Sequence, residues 1–228
     1  MTQPPTMTER FDDQIAAEQR RAETYRLLAE LFQPPDEDQP SGVDVTNDVS
    51  IALERLRDAV PDRESLELDH ARLFVGPFEL AAPPYESVYV DEESRVMTDA
   101  TAAVQAEYRE AGVDIDIDEP ADHVAAELEF VSLLVATECE ALAAGEFEAA
   151  EQYLDRQYAF LVSHLGRWVS EFAEHIRAHA HTEFYTLLAD ETQSFVEEDG
   201  QRLANRLERL EATDDVTTVL EGGDTDDR

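Results

Sequence analysis

Apolar residues recur along this chain at helical spacing. Ile15, Ala22, Tyr25, Leu28 and Phe32 step by three, four or seven, which sets them on one face of a helix from about residue 9 to 32. Pro34-Pro35 ends it. A second helix is predicted over 49–60, punctuated by Pro61, and a third carries Leu66, His70, Leu73 and Phe74 before Gly76-Pro77. Thr98 is placed to cap a helix that ends at Gly112. Pro120 is predicted to open a further helix and Gly145 to close it. Within it Val124, Leu128, Val131, Val135, Cys139 and Leu142 step by four, three, four, four and three. Phe130, Leu133 and Leu134 widen that face, so the middle of this helix belongs at the centre of the core. From Phe147 to about Ala178, Leu154, Tyr158, Leu161, Leu165, Trp168, Phe172 and Ile176 form one stripe. Trp168 is predicted to be buried on it, and Gly166 to mark a break or a close helix contact. A last pair of helices uses Phe184, Leu188 and Phe195, then Leu203, Leu207 and Leu210, with Gly200 between them.

Two stretches depart from this pattern. Residues 76–90, GPFELAAPPYESVYV, hold too many prolines for a continuous helix, yet are rich in Phe, Tyr and Val. A segment this apolar should pack onto the helices or line a groove. Residues 113–120, VDIDIDEP, read as an acidic linker. The expected architecture is all-α: a single helical domain of roughly seven to nine helices over 9–210. It lies between a disordered N-terminus, 1–8, and a disordered acidic tail, 211–228.

Composition supports the helical reading and adds a charge problem. The 228 residues include only 8 Gly, against abundant Ala, Leu and Glu. There are 54 acidic and 17 basic residues, a formal net charge of −37, and every basic residue is Arg. The acidic residues are spread along the whole chain, which favours adaptation to a very salty cytoplasm over an acidic module for a basic partner. No basic stripe is present, so nucleic acid is not an expected partner. The single cysteine, Cys139, excludes an internal disulfide and reads as a buried small hydrophobe. The first residues carry no basic, apolar signal pattern and no window reaches spanning length, so the expectation is a cytoplasmic protein without direct membrane insertion.

Four motifs in order carry a resemblance: DHARLFVGP at 69–77, PPYESVY at 83–89, PADHVAAELEF at 120–130, and FLVSHLGRWVSEF at 160–172 followed by FYTLLA at 184–189. Their order and spacing resemble the TorD/DmsD/NarJ family of redox-enzyme maturation chaperones, in a haloarchaeal-type form, over about residues 20–198. The resemblance implies an all-helical fold of the TorD-like type and a non-enzymatic role. It implies binding to the precursor of a molybdopterin oxidoreductase catalytic subunit at its twin-arginine signal peptide, holding the apoenzyme until its cofactor is inserted. No cofactor of the chain's own is implied, and the chain would act as a monomer or a homodimer. The family's functional positions fall on Asp122 and His123, and on Pro84, Tyr85, Glu86, Ser87 and Tyr89. The chain departs from some members in having few tryptophans; Trp168 is its only one.

The same residues make chemical sense as a peptide site. Two guanidinium groups beside an apolar stretch call for carboxylates and an apolar trough. Glu86 lies within the aromatic 76–90 segment, Asp122 stands at a helix start, and His123 and Glu127 share a helix face that leads into Phe130, Val131 and Leu134. The plainer alternatives are that Asp122 caps a helix, that His123 bonds a neighbouring loop, and that PPYESVY is a rigid packed loop. One competing function is assembly of a nitrate-reductase-like enzyme through its mature part. Another is a helical metal-dependent hydrolase using His175 and His179, with Glu171 and His181 nearby. A third is an acidic structural protein. His164, beside the apolar stripe, reads as a satisfied core histidine. Ser87 lacks a nucleophile-elbow context, and no phosphate-binding or dinucleotide motif occurs.

Overall fold

The structure, a computed structural model, describes residues 6–35, 51–76, 80–91, 99–113 and 119–222. Among these residues the chain forms α1 (Met7–Leu31), α2 (Ile51–Asp58), α3 (Arg63–His70), α4 (Glu86–Val90), α5 (Asp99–Glu110), α6 (Val124–Ala144), α7 (Phe147–Ser163), α8 (Leu165–His179) and α9 (Glu183–Gly222). The architecture is all-α, as the periodicity predicted. Helix α6 is the hub, with α1, α7 and α8 packed against it, and α9 lies on α7 and α8. Its stripe is buried from Val124 through Val131 and Val135 to Cys139 and Leu142, because those positions share one helical face. Trp168, Tyr25, Tyr185, Phe130, Phe160 and Phe172 are the largest side chains wholly inside.

Local chemistry explains where the elements turn. After α3 the chain widens into a π-turn, Ala71–Val75, closed by the Gly76 N–H donating to the Ala71 carbonyl. The wider turn keeps His70, Leu73 and Phe74 buried together. Asp69 is also buried, and its carboxylate receives the N–H groups of His181 (3.0 Å) and Thr182 (2.8 Å) and the Thr182 hydroxyl (2.8 Å). It thereby caps the start of α9 from a distant part of the chain. Burial acts to raise the Asp69 carboxyl, but hydrogen bonds from Arg72 and Thr182 outweigh it and hold it below the usual carboxylate range.

Several expected boundaries shift. Gly145 closes α6 in the left-handed conformation, φ 76°, as a C-terminal glycine should. Pro120, however, does not open α6. Residues 120–123 form a turn, closed by the His123 N–H on the Pro120 carbonyl at 3.0 Å, and the helix begins at Val124. The long stripe from Phe147 is two helices that meet at His164 without a linker. Gly166 stands at the junction because a Cβ there would lie 2.5 Å from the Leu161 carbonyl oxygen. The last pair of helices is one helix: α9 runs through Gly200, where the tertiary packing of its apolar face outweighs the low helix propensity of a single glycine. It continues to Gly222, into the stretch read from sequence as a tail. Thr98, most of the 113–120 linker, residues 1–5 and residues 223–228 lie outside the described residues.

Candidate functional site

The two motifs of interest are zipped together by backbone. Tyr85 and His123 form an isolated antiparallel bridge. The Val124 N–H donates to the Pro84 carbonyl at 2.8 Å, and the Glu86 N–H to the Asp122 carbonyl at 2.9 Å. Asp122 then caps α4, accepting the Ser87 N–H on Oδ2 at 3.0 Å. His123, not Asp122, caps α6: its Nδ1 accepts the Ala125 N–H at 3.1 Å. An accepting Nδ1 requires the neutral ring, and burial, with help from His70, pushes His123 down to about 4. The structure thus brings Pro84, Tyr85, Glu86, Ser87, Asp122, His123 and Glu127 into one junction.

The junction is closed. Pro84, Glu86, Ser87, Asp122, His123 and Glu127 are buried, while Tyr85 and Tyr89 are half-buried. His123 and Glu127 therefore do not stand at the mouth of a groove, as their shared face had suggested. His123 is drawn in by its cap and by the bridge to Tyr85, and Glu127 by Trp168. The Tyr85 ring lies edge-on over His123, with centroids 5.3 Å apart, and its hydroxyl donates to Glu119 at 3.2 Å. Burial and Glu119 push that hydroxyl up to about 12. Tyr89 stacks on Trp168 at 5.4 Å.

Inside, three acidic side chains gather. The Trp168 indole N–H donates to Glu127 Oε2 at 3.2 Å. His164 Nδ1 lies 3.0 Å from Glu86 Oε2, so this histidine is satisfied in the core as expected. Burial raises the Glu127 carboxyl well above its ordinary value, and the charges of Glu86 and Asp122 raise it further. From α5, Tyr108 donates to the Ala121 carbonyl at 2.7 Å; burial raises its hydroxyl, as do the charges of Glu127, Asp122 and Glu86. Three buried polar atoms, Ser87 Oγ, Asp122 Oδ1 and Glu127 Oε1, have no donor or acceptor directed at them. No arginine reaches this cluster in any ion pair among the described residues.

The alternative histidine face has less behind it. His179 Nδ1 contacts the His175 carbonyl at 2.9 Å on its own helix, and His175 Nδ1 lies 3.5 Å from the Tyr89 hydroxyl. Among the described residues no group of three or more His, Cys, Asp or Glu side chains is arranged to hold a metal ion, which leaves a hydrolase reading without a ligand set. No described helix is long and apolar enough to cross a membrane.

Sequence reasoning missed the acid cluster as a unit and the part Trp168 plays in it. The available signal was a glutamate inside the apolar run of α6, one helical turn before Val131, with a tryptophan on the only other stripe of comparable strength.

Comparisons with known proteins identify the family and the fold. The Tat proofreading chaperone DmsD of Salmonella paratyphi A is 36% identical over 127 residues, which span 55% of each chain, so the match covers about half the length of that relative. The chaperone protein TorD of Photobacterium profundum is 29% identical over 195 residues, 75% of this chain and 88% of that one. A crystal structure described as a redox enzyme maturation protein of Archaeoglobus fulgidus superposes with a TM-score of 0.53 over 77% of this chain and 93% of its own, at 24% identity, which establishes likeness of fold. The family model for the nitrate reductase delta subunit matches residues 44–174, which include the π-turn, α4, the Asp122 turn and Trp168. The chain belongs to this TorD/DmsD/NarJ family of redox-enzyme maturation chaperones.

Proposed function

We propose that this protein is a non-catalytic cytoplasmic chaperone that binds the precursor of a molybdopterin-containing oxidoreductase at its twin-arginine signal segment and holds it until the cofactor is in place. The observation that carries the reading is the junction itself: Glu86, Asp122 and Glu127 are buried together with unpartnered acceptor atoms, and among the described residues no arginine pairs with them. A guanidinium fork is the partner such acceptors lack. The half-buried rings of Tyr85 and Tyr89 at its edge suit the apolar residues of the same peptide. The relatives described as a Tat proofreading chaperone and as TorD chaperones support the same reading.

Two measurements test it. Affinity capture from a high-salt lysate, read by mass spectrometry, should recover an oxidoreductase precursor that still carries its signal segment. Titration calorimetry in molar KCl should then show tighter binding of a peptide with an Arg-Arg pair ahead of an apolar stretch than of its Lys-Lys counterpart. Asp122→Asn should narrow that difference, and Tyr85→Ala should weaken both peptides about equally. Equal binding of both peptides by the parent protein, or recovery only of precursor lacking its signal segment, would overturn the assignment.

A further inference from the structure

A buried carboxyl cluster must be neutralised by something. In the α1–α9 cluster the neutralising group is arginine; at the junction of α4 with the turn before α6 no arginine forms an ion pair among the described residues. The groups that face Glu127 can be named element by element. Glu86 reaches it from α4, Asp122 and His123 from the turn before α6, and Tyr108 from α5. From the α7–α8 junction come the Trp168 N–H, at 3.2 Å, and His164, which is held to Glu86. His70, on α3, acts on His123 from behind. Of these, the neutral Trp168 indole alone donates to Glu127 in the contacts seen, and the other acidic groups repel a second negative charge. His123 supplies no positive charge, because its Nδ1 accepts the Ala125 N–H and the ring is neutral. With three carboxyl groups in one dry pocket, two atoms of them unpartnered, a bound proton is the least costly counter-ion.

We infer that the junction is a proton–guanidinium exchange site: in the closed protein Glu127 holds a proton shared with Glu86, and an arginine of the client displaces it into solvent as its guanidinium takes over the unpartnered oxygens of Glu127 and Asp122. This rests on the reading of the junction as the client site and adds to it a linkage between binding and pH. The balance is simple. One positive charge enters as the Glu127 O–H bond breaks and its proton passes to the buffer base, so the cluster keeps its net charge. The exchange also gives selectivity in a salty medium. Long-range attraction to a carboxylate-rich surface is screened within ~3 Å at 1 M salt, whereas a fork bound to buried oxygens is not. A potassium ion has no directional donors with which to copy it.

The test is titration calorimetry of the full chain with the Arg-Arg peptide at pH 7 in molar KCl, run in two buffers with widely different ionisation enthalpies. The buffer dependence of the heat reports the protons released. The parent protein should release about one proton per peptide, and its affinity should rise with pH by up to about tenfold per unit. Glu127→Gln cannot ionise; it should bind the peptide with an affinity that no longer rises with pH and should release no proton. Binding by the parent with heats that do not depend on the buffer would overturn the exchange while leaving the client site intact. Equal proton release by Glu127→Gln would move the proton to another group and overturn the assignment. No binding by the parent at all would overturn the client site itself. The parent measurement stands alone if Glu127→Gln does not fold.

Discussion

The protein buries two polar clusters on opposite principles. Between α1, α6, α7 and α9, the acidic side chains Glu18, Asp199 and Glu138 are matched by Arg21, Arg202 and Arg206. Arg21 lies 3.0 Å from Glu18 and 2.8 Å from Asp199, and Arg202 grips Glu18 with two nitrogens at 2.8 and 3.1 Å. Arg206 pairs with Glu138 and Glu18. Gln157 donates to Glu138 at 2.8 Å, and the Tyr25 hydroxyl donates to Asp199 at 2.7 Å. Three arginines there balance three carboxylates. At the Glu86–Asp122–Glu127 junction no arginine balances the carboxyl groups among the described residues. A chain with a net charge of −37 has few cations to spare, and among the described residues three arginines pair in the first cluster and no arginine pairs in the second. Buried ion pairs that are complete fix how helices pack; an incomplete set is unstable until something supplies the missing charge. The first cluster belongs to the scaffold, and the second is the place where a partner's charge has a use.

The largest expected effect is in the complete cluster. Arg21→Met breaks the buried pairs of Arg21 with Glu18 and Asp199, leaving Arg202 alone to hold both, and should cost about 3–5 kcal/mol in urea unfolding. A cost below 1 kcal/mol would mean that the network is ornamental. Asp122→Asn should cost less, about 1–3 kcal/mol: it trades the charged acceptor of the Ser87 N–H for an amide and adds a buried donor, but it also relieves repulsion with Glu86 and Glu127.

The third effect is a slope. Because the folded state raises the Glu127 carboxyl above its unfolded value of 4.5, its contribution is complete below that value and is lost as pH rises toward the folded value. His123, held down to about 4 from 6.5, works the other way: its contribution is complete above 6.5 and is lost as pH falls toward 4. Above pH 6.5 the histidine is silent. Glu127→Gln should there gain on the parent by up to about 1.4 kcal/mol per pH unit until Glu127 ionises in the folded parent. Parallel pH profiles for the two proteins would contradict this. The smallest effect concerns salt. The parent should melt higher in molar KCl than in dilute buffer as surface carboxylates are screened. The stability losses of Arg21→Met and Asp122→Asn should differ by less than about 0.5 kcal/mol between the two conditions, because Arg21 and Asp122 are themselves buried.

Much of this fold was legible in the sequence, because its helices follow from spacing alone. The stripe on α6 and the burial of Trp168 needed no knowledge of a partner helix. What escaped depended on long-range partners. The chain breaks at His164 because Gly166 allows a close approach to Leu161 and Glu86 holds the imidazole, and Glu86 lies 78 residues away in sequence. Gly200 looked like a turn because propensity is local, whereas the buried faces at Val196 and Leu203 that carry α9 through it are not. Asp122 and His123 were legible as a pair at a helix start, but their division of labour was not: Asp122 caps α4 and His123 caps α6, an arrangement set by the bridge to Tyr85. Pro84, Tyr85, Glu86, Ser87, Asp122 and His123 were legible as one group through the family resemblance, and Glu127 through the helix face it shares with His123. Their burial was not, because it comes from Tyr108, Trp168 and His164, which only the tertiary fold brings against them.

The central claim is that the client enters at this junction, and amide hydrogen exchange tests it most directly. The exchange of the full chain should be followed with and without the Arg-Arg peptide in molar KCl. The account predicts that the change in protection is confined to residues 80–91 and 119–127, where the Glu86, Ser87 and Val124 amides bind the facing motif, with the α1–α9 cluster unaltered. Protection that changes around α3 and α8 instead, or along α9, with the junction unaffected, would contradict it.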